Sequence, residues 1–351
     1  MQPFDLHGEL PTGTTLLEAS AGTGKTFAVG ALVTRYVAEG HATLEQMLVI
    51  TFGRAASQEL RERVREQLVE AERALADPEA ARVRGGLVGL LASVDDAEVV
   101  LRRTRLRDAL AAFDSATIAT THQFCQLVLR SLGVAGDTDS GAELVESLDD
   151  LIVEVVDDVY LRRFGQLAQA PPFKRDVALT LARAAVGDPQ AELAPADAEA
   201  ESTARHRVDF AREVREEVDR RKRRRGVLSY DDLLSRLADA LEEPDSPARQ
   251  RMRQRWKIVL VDEFQDTDPV QWKVLDRAFS GHASMVLIGD PKQAIYAFRG
   301  GDIFTYLEAA DTAATRQTLA TNWRSDAPLV EALQGLLGGA ALGDPRIGVH
   351  P

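Results

Sequence analysis

The sequence predicts an α/β fold, a parallel sheet covered by helices and interrupted by an inserted helical subdomain. Three observations lead there. Short β-rich apolar runs, "TTLL" at 14–17, "MLVIT" at 47–51, "TIATT" at 117–121, "KIVLVD" at 257–262 and "SMVLIGD" at 284–290, alternate with stretches of helical periodicity, the pattern of parallel strands joined by crossover helices. A glycine-rich loop follows the first run and opens a helix. From about 141 to 225 the pattern is helical and acid-rich, with "APP" and "GDPQAELAPADAEAE" breaks and no convincing strand, so this stretch is expected to fold outside the sheet.

The loop after the first run reads Ala19, Ser20, Ala21, Gly22, Thr23, Gly24, Lys25, Thr26. It matches the phosphate-binding pattern G-x-x-x-x-G-K-[ST] except at its first position. Such a loop must aim successive backbone N–H groups at an anion, with a helix N-terminus behind them. Gly22 and Gly24 stand where a Cβ would obstruct a tight turn or the phosphates. Ala19 comes earlier, where a methyl group is tolerated. Lys25 would reach the β- and γ-phosphates, and Thr26 would present its hydroxyl to Mg²⁺.

The second strand is followed by a helix whose apolar residues Ala56, Leu60, Val64, Leu68 and Leu75 recur at near-helical spacing, with Arg and Glu opposite. The helical insertion ends in "RRKRRR", Arg220 to Arg225. Such a run is either a solvated helix end or a contact to DNA phosphates. Next, "KIVLVDEFQDT" delivers Asp262 and Glu263 to the C-terminal edge of a strand, the edge where open α/β sheets bind ligands. An aspartate there can hold the Mg²⁺ shared with Thr26, and the glutamate can orient and deprotonate an attacking water. After the last run, "VLIGDPKQAIYAFRGGD" places Gln293 just past a strand end, able to report the γ-phosphate. Tyr296, Phe298 and Arg299 follow at alternating spacing; they suit stacking on unpaired bases, or the two rings are core aromatics.

Bulk numbers restrict the function. At 351 residues, 45% hydrophobic and 28% charged, the chain is globular and long enough for two or three domains. Forty-two basic residues against 55 acidic give a net charge of −13, which argues against a generic polyanion binder. The single cysteine, Cys125, permits no internal disulfide, and six scattered histidines show no metal-ligand spacing. The N-terminus lacks the apolar core of a signal peptide, and no run reaches the roughly 18 apolar residues of a membrane span. A soluble, cytoplasmic protein with no membrane partner is expected.

Together "AGTGKT", "VDEFQDT", "GDPKQAIYAFRGG" and "TNWRS" resemble, in this order, the ATPase motifs of superfamily-one DNA helicases of the UvrD/Rep type. Those helicases typically open the phosphate loop with alanine. The stretch "FDLHGELPTGTTLLEASAGTGKTFAVG", with "TFGRAASQELRERV", "TIATTHQFCQLVLRSLG" and "LSYDDLL", resembles the RecB branch of that family. The resemblance implies a RecA-like P-loop sheet, ATP and Mg²⁺ as cofactors, and ATP-dependent 3′-to-5′ unwinding in double-strand-break repair and recombination. It further implies single-stranded and duplex-end DNA as partners, with RecC- and RecD-like subunits. By the same resemblance the loop 19–26 holds the nucleotide, Asp262 the metal, Glu263 is the base, and Gln293 senses the γ-phosphate. Arg324 would touch the γ-phosphate and Trp323 would stack on adenine, where relatives carry tyrosine. Thr51, Phe52, Arg54, Thr121, His122 and Phe124 would lie on the DNA path with Tyr296, Phe298 and Arg299; on its own His122 reads as a core histidine.

The expected organisation is 1–140 and 226–315 as the two parts of the first motor domain, 141–225 as the insertion, and 316–351 as the start of a second motor domain. Later family motifs are not found before Pro351, so the chain by itself is expected to be too short to unwind DNA. Alternatives are a stand-alone UvrD-like helicase and a non-catalytic nucleotide- and DNA-binding module.

Overall fold

The computed structural model describes residues 1–132, 143–145, 147–166, 169–187, 192–295 and 301–349. It divides into two compact units, residues 1–132 with 234–351, and residues 133–233. Strands among the described residues are β1 (Gln2–Pro3), β2 (Thr14–Glu18), β3 (Met47–Thr51), β4 (Thr117–Thr120), β5 (Glu143–Leu144), β6 (Val227–Leu228), β7 (Ile258–Val261), β8 (Ser284–Gly289) and β9 (Thr315–Thr318). Seven form one sheet in the order β1-β9-β2-β8-β7-β3-β4, with every pairing parallel.

Apolar composition explains the central strands. All residues of β3 and β7 are buried, as a sheet covered on both faces requires. Leu17, Val49, Leu260 and Ile288 join one core with Leu32 and Val33 of the helix Lys25–Ala38, Leu60, Val64 and Leu68 of Arg54–Ala74, and Leu106 of Asp96–Ala111. Alternate residues Leu16, Leu48, Ile50, Val259, Val261 and Leu287 point the other way and are buried as well. Each such burial is worth about 1.5–3 kcal/mol. The helix read from Ala56, Leu60, Val64, Leu68 and Leu75 is present, but Ala56 is exposed and Ser57 takes the inward position.

The five apolar runs account for β2, β3, β4, β7 and β8. The two other strands of this sheet, β1 and β9, are short and polar or exposed. β9 lies between β1 and β2, with Thr15 opposite Thr315 and Glu18 opposite Thr318, so residues 315–318 complete the sheet that carries the phosphate loop. The helix that follows, Ala327–Leu337, buries none of its residues.

The unit 133–233 is wider than the expected insertion at 141–225. Its helices Asp149–Phe164, Arg175–Gly187 and Thr203–Arg225 enclose a core including Val155, Val159, Phe164, Phe173, Phe210 and Val214. The short strands β5 and β6 pair beside it. Ser202 caps the last helix by accepting from Arg205 N, and Gly226, at φ 63, ends it. The basic run is largely neutralised within this unit. Arg221 and Arg225 both pair with Glu154, at 2.6 and 2.7 Å, Arg220 with Glu217 at 2.5 Å, and Lys222 with Asp232 at 2.6 Å.

Candidate functional site

Four strands bring their C-terminal ends to one edge of the sheet. β2 runs into the loop 19–26, β3 ends at Thr51, β7 runs into Asp262 and Glu263, and β8 runs into the turn Asp290 to Gln293. Ala19 is buried in the core, its N–H donating to Gly289 O at 2.9 Å, so it extends the β2–β8 pairing and lies behind the loop. Its φ is not positive, whereas Gly22 and Gly24 sit at φ 82 and 87. Alanine is therefore accommodated at 19, and left-handed backbone is confined to the glycines. No side chain caps the helix that starts at Lys25, which leaves its first N–H groups directed at the loop's concave side.

Lys25 crosses this concavity and donates from Nζ to Glu263 Oε2 at 2.7 Å. Glu263 has φ 52, a strained conformation for a residue with a Cβ. Gln265, which is 2% exposed, donates from Nε2 to the same Oε2 at 2.8 Å and to Asp266 Oδ2 at 3.2 Å, while its Oε1 accepts from Asp290 N at 3.0 Å. Beside them, Asp262 is half-buried with its Oδ1 buried and unpaired, and Thr51 Oγ1 is likewise buried and unpaired. Burial, then the neighbouring Glu263 charge, raises the Asp262 pKa to about 6, and Lys25 works against the rise. The Thr51 hydroxyl offsets it slightly without forming a well-aligned hydrogen bond.

At the end of β8, Asp290 is 2% exposed and accepts from Gln293 Nε2 at 2.7 Å and from Lys292 Nζ at 2.9 Å. Lys292 also pairs with Glu18, the last residue of β2. The segment after β9 returns over the phosphate loop, where Trp323 N donates to Gly22 O at 2.8 Å. A Cβ on Gly22 would stand 2.7 Å from Arg324 Cβ, so this approach needs glycine. Trp323 is 79% exposed and Phe27 56% exposed, and a Cβ on Gly24 would lie 3.8 Å from the Trp323 ring and 4.0 Å from Phe27 Cβ.

The structure thus brings the loop 19–26, Asp262, Glu263, Gln293, Trp323 and Arg324 to one edge, and it rearranges the residues expected on a DNA path. Phe124 is fully buried, packed edge-on against Trp256 at 5.4 Å and near Phe279, so its ring cannot reach a nucleic acid. That expectation is corrected; the residue is core. Thr51 is 1% exposed and faces Asp262 rather than solvent, which corrects its placement as well. Thr121 is 7% exposed at the start of the helix Thr121–Leu132. Phe52 and His122 are half-buried, and Arg54 is exposed. Tyr296, Phe298 and Arg299 lie outside the described residues. Gln265 lies inside "DEFQDT" without a spacing that sets it apart in the sequence; its burial among the carboxylates is what gives it a role.

Residues 7–314 match the model of the UvrD/REP helicase N-terminal domain. The chain belongs to the UvrD/Rep helicase family. It is 65% identical to the RecBCD enzyme subunit RecB of Mycolicibacterium smegmatis and 60% identical to that of Mycobacterium tuberculosis, each over all of this chain and 32% of the relative. RecB of Escherichia coli is 29% identical over 92% of the chain and 38% of the relative. The chain therefore spans about a third of the length of the curated relatives it matches. No helix among the described residues is long and apolar enough to cross a membrane. For a helicase of this family, burial of Phe124 has a measurable consequence. Phe124→Ala should lower stability by about 3–5 kcal/mol through cavity formation, and, if the protein binds single-stranded DNA, the affinity of the folded fraction should equal the parent's. Urea melts and fluorescence anisotropy check both, and a selective loss of DNA binding in a stable variant would return Phe124 to the DNA path.

Proposed function

We propose that this chain is the ATP-driven motor segment of a RecB-like 3′-to-5′ DNA helicase acting in double-strand-break repair, binding ATP, Mg²⁺ and single-stranded DNA. One observation carries the reading: Lys25 of the phosphate loop meets Glu263 of "DEFQDT" at 2.7 Å although the two are separated by 238 positions. This contact supports the reading because phosphoryl transfer needs a cation on the phosphates and a carboxylate for the attacking water at one place, and the long connection closes to bring a loop lysine and a strand-end carboxylate together.

The donor set fits a hard, oxygen-seeking cation. Asp262 offers a buried oxygen without a hydrogen bond, and the family's pattern gives Thr26 as the hydroxyl ligand; among the described residues no group of three or more His, Cys, Asp or Glu residues is arranged to hold a metal ion by itself. Mg²⁺ takes one or two protein ligands and keeps water and phosphate oxygens for the rest, and when bound it neutralises phosphate charge. In this reading the loop N–H groups and Lys25 hold the β- and γ-phosphates. Glu263 accepts the proton of the attacking water, Gln293 contacts the γ-phosphate after leaving Asp290, and Arg324 approaches from the segment over the loop. Trp323, exposed beside Gly24, stacks on the adenine.

The experiment is unwinding by the natural full-length protein on tailed duplexes. ATP-dependent strand separation from a 3′ single-stranded tail, with affinity nearly independent of base sequence, is the expected result. Unwinding from a 5′ tail alone would overturn the polarity, and ATP-independent binding without separation would overturn the motor.

A further inference from the structure

We propose that Gln265 is a positioning residue for hydrolysis: it holds the Glu263 carboxylate in its working orientation and ties it to the turn that carries Gln293. The proposal rests on the reading of Glu263 as the base.

The amide's orientation follows from its surroundings. The Asp290 N–H is buried and can only donate, so the oxygen of the Gln265 amide must face it, at 3.0 Å. The amide's NH₂ is thereby turned to the two carboxylates, 2.8 Å from Glu263 Oε2 and 3.2 Å from Asp266 Oδ2. A flip of the amide would set oxygen against two carboxylates and leave Asp290 N–H without a partner, so a single orientation is selected. The approach of β8 is fitted to this side chain. A Cβ on Gly289 would lie 2.7 Å from Gln265 Oε1 and 3.0 Å from its backbone nitrogen, so a side chain at 289 would push the two strand ends apart.

Lys25 and Gln265 converge on the same oxygen of Glu263. Neither of these bonds uses Oε1, which is left to accept from an attacking water. When Lys25 transfers its ammonium to a phosphate, Gln265 becomes the remaining tether on a carboxylate whose backbone is strained at φ 52. The tether also reaches the opposite strand end. Asp290, whose N–H the amide accepts, is the carboxylate that holds Gln293 at 2.7 Å. Base and phosphate sensor are therefore set relative to one another through one buried amide.

The test uses Gln265→Ala and Gln265→Glu in the full-length protein with saturating single-stranded DNA, reading kcat, KM for ATP, affinity for a fluorescent ATP analogue, and melting temperature. Glutamate keeps the shape and the acceptor for Asp290 N–H but removes the donor to Glu263. Both variants are expected to lose about 10- to 100-fold in kcat, short of the about 10²–10⁴ attached to the base itself, with nucleotide affinity within about threefold of the parent, since no phosphate contact is removed. Normal kcat in either variant overturns the proposal, as does a parallel loss of kcat, affinity and melting temperature, which would make Gln265 packing alone. Glu263→Gln assayed alongside separates the two ideas. If Glu263→Gln hydrolyses ATP normally, the base assignment has failed; if it is inactive while the Gln265 variants are not, only the positioning role has.

Discussion

Glu263→Gln should reduce DNA-stimulated ATP hydrolysis by about 10²–10⁴-fold, the range attached to a lost general base, while affinity for Mg-ATP stays equal to the parent or rises. The amide keeps the length and planarity of the carboxylate and takes the same left-handed backbone, so the site is not dismantled. It removes two unfavourable features for the ligand. The negative charge that, after burial, does most to push Asp262 up to about 6 disappears, so Asp262 ionises more readily for the metal. Lys25 loses its 2.7 Å partner and no longer has an ion pair to break before meeting a phosphate. Single-turnover hydrolysis and fluorescent-nucleotide titration check both halves. Near-normal turnover would place the base elsewhere, and a collapse of nucleotide affinity would give Glu263 a binding role instead.

Lys25→Ala should weaken Mg-ATP binding by about 10- to 100-fold, because hydrogen bonds to charged groups contribute about 1.5–3 kcal/mol, and should leave no measurable unwinding. Its effect on Asp262 runs opposite to that of Glu263→Gln. The Lys25 charge works against the rise in the Asp262 pKa, and its removal leaves two adjacent carboxylates without that opposing charge. The two substitutions therefore separate binding from chemistry. Parent-like affinity in Lys25→Ala, measured by the same titration, would remove Lys25 from the phosphate site.

The residues proposed for the chemistry were legible because their spacing is local. A phosphate loop is eight consecutive residues, and Asp262 with Glu263 are neighbours at the end of a run of aliphatic side chains. The central strands β3, β7 and β8 were legible for a related reason, since strands covered on both faces must be apolar throughout. β9 left no such mark. Its sequence, Thr315–Thr318, is polar and only partly buried, and it is a strand because the edge of β2 offers unpaired backbone groups, which bind any extended segment whatever its side chains. A boundary expected at 316 accordingly falls within the sheet.

Single aromatic residues were the hardest to read. Phe124 sits in a motif associated with DNA, yet its neighbours Trp256 and Phe279 enclose it, and a ring in the core and a ring on a surface have the same one-letter code. The basic run at 220–225 shows the same limit, for its charge is answered by Glu154, Glu217 and Asp232 from elsewhere in its own unit.

By itself the sequence determined the α/β class, the phosphate loop, the acidic strand end and the family, because each depends on residue types within a few positions of one another. Tertiary structure alone decided that Lys25 pairs with Glu263, that Gln265 bridges Glu263 to Asp290, that Thr51 faces Asp262, and that Trp323 lies over Gly22. Those contacts join strand ends far apart in the chain. They follow from the order in which β2, β8, β7 and β3 lie side by side, which is set by the packing of the whole sheet between its helices and is written at no single position.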